Sequence, residues 1–156
     1  NDLVKAENLK LFSQGLAANT RAKVTREEFA EIAVKAYKIK YKRSSQASVM
    51  HFKDTDNQYV NMAYDLGIMS GKGDGTFAPK AHITREDYAV VIANMFELNN
   101  SKNVNMKDRK KIAKYARESV NKALNAKYLT LDEKKNFNPK KEMNREEVIS
   151  SIVRHI

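Results

Sequence analysis

The chain is 156 residues long, is 42% hydrophobic and carries a formal charge of +10. That length and apolar content permit one domain with a real core and argue against global disorder. The absence of cysteine removes disulfides, thiolate catalysis and cysteine-based metal sites, and no apolar run approaches the roughly eighteen residues of a membrane span.

In chain order, the first apolar stripe is Leu3, Ala6, Leu9 and Phe12, at helical spacing. A short loop follows from Gly15 to Val24. After Arg26, residues Phe29, Ile32, Ala33, Ala36 and Tyr37 predict an amphipathic helix with one buried face. Residues 41–50 form a polar connector. Val60, Ala63 and Tyr64 predict a shorter helix, and a glycine-rich loop runs from Leu66 to Pro79. Tyr88, Val91, Ile92, Met95 and Phe96 then repeat the earlier offsets, counted from Arg85. Residues 98–105 are a second polar connector. Ile112, Tyr115, Ala116, Val120, Ala123 and Leu124 predict one helix. A loop from Ala126 to Pro139 leads to a last helix with Val148, Ile152 and Ile156 at the recurring offsets from Arg145, interrupted by Ser151 and His155. The reading is all-α: three helix-loop-helix repeats, at about 1–45, 51–100 and 104–156, in a single domain over 1–156. A two-helix unit cannot bury its stripe alone, so three should share a core.

Each second helix opens on a recurring tripeptide: Thr25-Arg26-Glu27, Thr84-Arg85-Glu86 and Asn144-Arg145-Glu146. Thr25 with Glu28, Thr84 with Asp87, and Asn144 with Glu147 have capping-box spacing. In the preceding loops, Phe77 and Phe137 stand eight residues before their arginines, and Pro79 and Pro139 six before. Gly71, Gly73 and Gly75 permit positive φ. The third loop keeps the length without those glycines, which predicts a different backbone.

Phe52-Lys53-Asp54, Gly67-Ile68, Gly71, Asp74-Gly75, Phe77, Pro79 and Ile83-Thr84-Arg85-Glu86 resemble the S-layer homology domain repeat. The third repeat keeps Asp108, Phe137, Pro139 and Arg145; the first keeps its second helix. The resemblance implies a pseudo-threefold helical spindle that anchors a larger surface protein, non-covalently, to the bacterial cell wall. The ligand so implied is an anionic secondary cell-wall polysaccharide, often pyruvylated, held in grooves between repeats. The family's usual groove tryptophan is absent; by register Tyr115 takes its place in the third repeat and Tyr59 approximates it in the second. The implied binding residues are Arg26, Arg85, Arg145, Asp54, Asp108, Tyr115, Tyr59 and Gly71. Arg85 with Asp108 and Tyr115 is the first candidate groove, Arg26 with Asp54 the second. The location is extracellular, with any export signal upstream of Asn1.

An arginine in a first helical turn opposes the helix dipole, by a few tenths of a kcal/mol. Functionally, free backbone N–H groups and a guanidinium fork could converge on one carboxylate, such as that of a pyruvyl ketal. Tyr115 would stack on a sugar face, and Asp54 or Asp108 would accept hydroxyl hydrogen bonds. Structurally, the same arginine could be held by local salt bridges and help pack neighbouring repeats.

Other signals lead elsewhere. Asp54, Asp56 and Gln58 mimic calcium-loop ligands, but Tyr59 replaces the loop glycine and Asp65 the final glutamate. Gly71 to Gly75 lacks the lysine-serine or lysine-threonine ending of a phosphate loop. His51, His82 and His155 are isolated, and no nucleophile, base and orienter set is present, so neither an enzyme, a cofactor nor a metal is expected. Nucleic-acid binding is suggested by charge, yet the recurring helices are acid-headed and lack a face for base edges. A structural or protein-binding use of the fold is the alternative to wall binding.

Overall fold

Three side-chain caps set the starts of the recurring helices. Thr25 accepts from the Glu28 N–H and Glu28 returns a carboxylate to the Thr25 N–H, a complete capping box. Thr84 accepts from Asp87 N–H and Asn144 from Glu147 N–H. In this computed structural model, which describes residues 1–12, 18–43 and 49–156, six α-helices follow: α1 (Asp2–Asn8), α2 (Arg26–Tyr41), α3 (Gln58–Asp65), α4 (Arg85–Met95), α5 (Arg117–Asn125) and α6 (Arg145–Val153). No strand is formed among the described residues, only isolated bridges at Lys23–Asn144, Thr25–His82 and Thr84–Glu142. The fold is all-α. The start of the first loop, at Gly15, lies outside the described residues.

The backbone divides into two compact units, residues 1–83 with 143–156, and residues 84–142. In the first, α2 packs on α3 and α1 on α6. In the second, α4 packs on α5. The α2–α3 and α4–α5 pairs thus join the second helix of one repeat to the first helix of the next. The predicted stripes are the buried faces: Phe29, Ile32, Ala33 and Ala36 on α2, and Tyr88, Val91, Ile92 and Met95 on α4. Each large side chain so buried contributes about 1.5–3 kcal/mol. Within the first unit, Val24 N–H donates to Met143 C=O, Met143 N–H to Ile83 C=O, and Ile83 N–H to Val24 C=O. These three residues, each just before a helix cap, close a cycle of backbone hydrogen bonds.

One expectation is corrected and a second holds only in part. The apolar spacing from Ile112 does not make one helix. Residues Arg109–Lys111 and Lys114–Ala116 are 3₁₀ turns, and α5 begins only at Arg117. Ile112 stands in extended backbone after the first turn and Tyr115 is 68% exposed, so their spacing does not mark one buried helical face.

The third loop differs in backbone less than its lack of glycine predicts: Gly73 takes φ 91° and its counterpart Glu133 is not left-handed, but three other positions repeat. Lys127, Lys135 and Asn138 take φ of 66°, 65° and 57°, where the second loop has Gly67, Gly75 and Ala78 at 71°, 84° and 58°. The Asp132 N–H to Asn136 C=O bond (2.9 Å) reproduces Lys72 N–H to Thr76 C=O (2.8 Å). A β-carbon in the left-handed region costs roughly 1–2 kcal/mol, partly offset by the flexibility glycine adds to the unfolded chain. Lys135→Gly is therefore expected to stabilise by about 0.5–1 kcal/mol. Thermal denaturation checks this; a lower Tm would contradict it.

Candidate functional site

The first-turn N–H groups of the recurring helices are all taken by protein. Arg26 N–H donates to Ala81 C=O at 2.8 Å and Glu27 N–H to Pro79 C=O at 3.1 Å. In the other unit, Arg85 N–H donates to Lys141 C=O and Glu86 N–H to Pro139 C=O. Arg145 and Glu146 donate to Ala22 and Thr20. The third N–H goes to the cap side chain and the fourth to the cap carbonyl. The expectation that free N–H groups would gather on a ligand carboxylate is thus corrected: the neighbouring loop ends where those donors need partners.

The arginine side chains continue the same clasp. Arg26 donates from Nε to Phe77 C=O (2.8 Å) and from Nη2 to Ser70 C=O (2.9 Å), with its guanidinium carbon 4.5 Å from the Phe77 ring centre. Arg85 repeats this on Phe137 C=O and Thr130 C=O, both at 2.7 Å, and lies 4.8 Å over the Phe137 ring. Arg145 differs. It pairs with Glu28 at 3.0 Å and donates to Asn19 C=O at 3.1 Å. Arg26 is only 7% exposed, whereas Arg85 and Arg145 are half-buried.

The two aspartates hold the other side of each phenylalanine. Asp54 accepts from the N–H groups of Phe77 and Ala78, and Asp108 from those of Phe137 and Asn138. The Phe77 N–H holds the Asp54 carboxyl below the ordinary carboxylate range, assisted by Ala78. Asp108 is buried and Asp54 exposed. Arg85 and Asp108 therefore meet through one residue, Phe137, as Arg26 and Asp54 meet through Phe77.

Tyr115 is 68% exposed, and its hydroxyl donates to Asp87 Oδ1 at 2.9 Å. Asp87 is in the same first turn as Arg85. Tyr59 is half-buried beneath the Lys35 ammonium, 5.3 Å from its ring centre. Gly71 has an ordinary φ and is required by space instead: a β-carbon there would lie 2.4 Å from Phe52 Cε1 and 2.7 Å from Thr76 O.

Sequence reasoning missed four partners. Buried Asn61 and Asn121 accept from the N–H groups of His51 and Val104, each tying the start of its repeat to the following helix. Both stand 24 residues before their arginine, a recurrence that would have revealed them. Buried Glu86 pairs with Lys140 and accepts the Ala113 N–H, and Glu27 pairs with Lys80, so the glutamate of the tripeptide also grips the neighbouring loop. Among the described residues, no helix is long and apolar enough to cross a membrane, and no cluster of three or more His, Asp or Glu is placed to hold a metal.

The S-layer homology domain model matches residues 52–89 and 105–149, more than half of the chain. The chain belongs to the S-layer homology domain family, whose members are typically non-catalytic modules of cell-wall anchoring at the cell surface. Over 114 residues it is 32% identical to an endoglucanase of Bacillus sp. (strain KSM-635), covering 65% of this chain and 12% of that protein. Over 90 residues it is 31% identical to an amylopullulanase of Thermoanaerobacterium thermosulfurigenes, covering 53% of this chain and 5% of that one. The chain thus corresponds to a small part of the length of these curated relatives.

Proposed function

We propose that the chain is one three-repeat anchoring module of a larger extracellular protein, and that it binds an anionic, pyruvylated wall polysaccharide through the Arg85–Tyr115 face of residues 84–142. The observation that carries this reading is Tyr115, an exposed ring fixed by its hydroxyl bond to Asp87 in the turn that bears Arg85. A pinned aromatic loses little freedom on stacking against a sugar. The Arg85 guanidinium, held in place by the Phe137 and Thr130 carbonyls, adds a fixed positive charge for a carboxylate. Asp108 and Gly71 act by shaping the loops on which such contacts depend. Arg26 with Asp54 and Tyr59 is the second candidate, and Arg145 the third.

A purely structural use of the fold has one observation in its favour: all three arginines bond backbone carbonyls. Retention on purified cell walls, with and without their pyruvyl groups, separates the readings. Arg85→Ala and Tyr115→Ala are each expected to weaken retention about tenfold or more on pyruvylated walls. Tenfold corresponds to about 1.4 kcal/mol, within the range of a charge-assisted hydrogen bond. Equal retention on both walls, or a loss of Tm in Arg85→Ala without a loss of retention, would refute the binding reading.

A further inference from the structure

The segment Lys107–Arg117 carries six cations and a single carboxylate, and the structure turns that carboxylate away from them. Asp108 is buried, with one oxygen on the Phe137 N–H and the other on the Asn138 N–H. Two of the cations do structural work. Arg109 donates to Asn121 Oδ1 at 3.3 Å and Arg117 to Ile112 C=O at 3.2 Å. The remaining four, Lys107, Lys110, Lys111 and Lys114, are exposed and make no ion pair or side-chain hydrogen bond among the described residues.

Two acids of the same unit reach this segment, Glu86 accepting the Ala113 N–H and Asp87 the Tyr115 hydroxyl, but among the described residues neither pairs with these four lysines. Glu86 pairs with Lys140, and Glu118 with Lys122. The fold does not demand this charge. The corresponding opening of the second repeat, Phe52 to Tyr59, sets Lys53 against Asp54 and Asp56. Crowded like charges repel and weaken the folded state, so four of them, three on two short 3₁₀ turns and Lys107 just before, have no use in stability.

We infer that Lys107, Lys110, Lys111 and Lys114 form a second contact for the wall polymer, one that takes the repeated negative charges of a polyanionic glycan chain. The inference rests on the polysaccharide reading above but uses different residues. Tyr115 lies within the second 3₁₀ turn, next to Lys114, so the ledge is continuous with the face that carries the stacking ring. Binding through several cations releases condensed counterions, and log K falls with log salt by about 0.7 per cation on a flexible polyanion.

The test uses the whole chain with immobilised polygalacturonate, uncharged dextran and duplex DNA as probes. The quadruple variant Lys107→Gln, Lys110→Gln, Lys111→Gln, Lys114→Gln is expected to lose about tenfold or more in affinity for polygalacturonate at low salt. Its salt slope should be shallower by roughly 3. Its substitutions are exposed, and a Tm no lower than the parent's confirms folding. A control removing the same charge from Lys10, Lys42, Lys53 and Lys72 should leave that slope within about one of the parent. Equal losses in both variants would mean diffuse charge and overturn the inference. Tighter binding of duplex DNA than of polygalacturonate, lost in the first variant, would also overturn it in favour of a nucleic-acid surface. Arg85→Ala distinguishes the two readings on pyruvylated wall polysaccharide. If it binds normally while the lysine variant does not, the ledge stands and the Arg85 reading falls; the reverse result removes the ledge.

Discussion

Arg26→Ala is expected to destabilise the fold by about 2–4 kcal/mol, a Tm loss of roughly 5–12 °C in a chain of this size. The side chain is nearly sealed and donates to two carbonyls of the second loop, Ser70 and Phe77. Alanine leaves both acceptors without that donor, at about 1 kcal/mol or more each, and removes the guanidinium from the Phe77 ring. Arg26→Lys is expected to recover less than half of the loss, because one ammonium cannot reproduce the planar fork. Urea or thermal denaturation of the two variants measures this directly. A Tm within 2 °C of the parent for Arg26→Ala would show that the clasp carries no weight.

The local grammar of the chain was legible because it is local. Thr25, Thr84 and Asn144 announce helix starts by their own side chains, and all three cap, with the full box that the spacing predicts closed at Thr25 and Glu28. The buried stripes of α2 and α4 follow from a period of 3.6 and needed no knowledge of partners. The family pattern was equally visible, since Phe77, Pro79 and the tripeptide keep their offsets. What the arginines touch was not legible. Arg26 and Ser70 are 44 residues apart in sequence, and nothing in the tripeptide distinguishes a guanidinium that seeks a ligand from one that seeks a loop carbonyl. The onset of α5 was misread because Ile112, in extended backbone, and Ala116, ending a 3₁₀ turn, are buried as effectively as from a helix. The third loop, apart from Glu133, was misread for the opposite reason. Its left-handed positions are imposed by tertiary contacts, among them Asp108 on Phe137 and Asn138 and Lys107 N–H on Lys135 C=O, which override the local preference of lysine and asparagine.

The glycines of the second loop give the sharpest contrast between conformational and steric need. Gly73 lies at φ 91° with nothing within 4 Å of an added β-carbon, so Gly73→Ala meets only backbone strain, of about 1–2 kcal/mol. Gly71 has no such φ, yet its added carbon would sit 2.4 Å from the Phe52 ring and 2.7 Å from the Thr76 carbonyl oxygen. Neither neighbour is a flexible side-chain end. Phe52 is buried and packs at 5.2 Å centre to centre on Phe77, whose carbonyl Arg26 holds. The Thr76 carbonyl accepts the Lys72 N–H that closes the loop. Gly71→Ala is therefore expected to cost more than Gly73→Ala, about 3 kcal/mol or above, as an overpacked core does. The damage should pass to the clasp, because moving Phe52 moves Phe77. Equilibrium denaturation of the two variants gives the order of cost. Gly71→Ala as mild as Gly73→Ala would mean that Phe52 can yield, and that the loop and the Arg26 contact are not one rigid assembly.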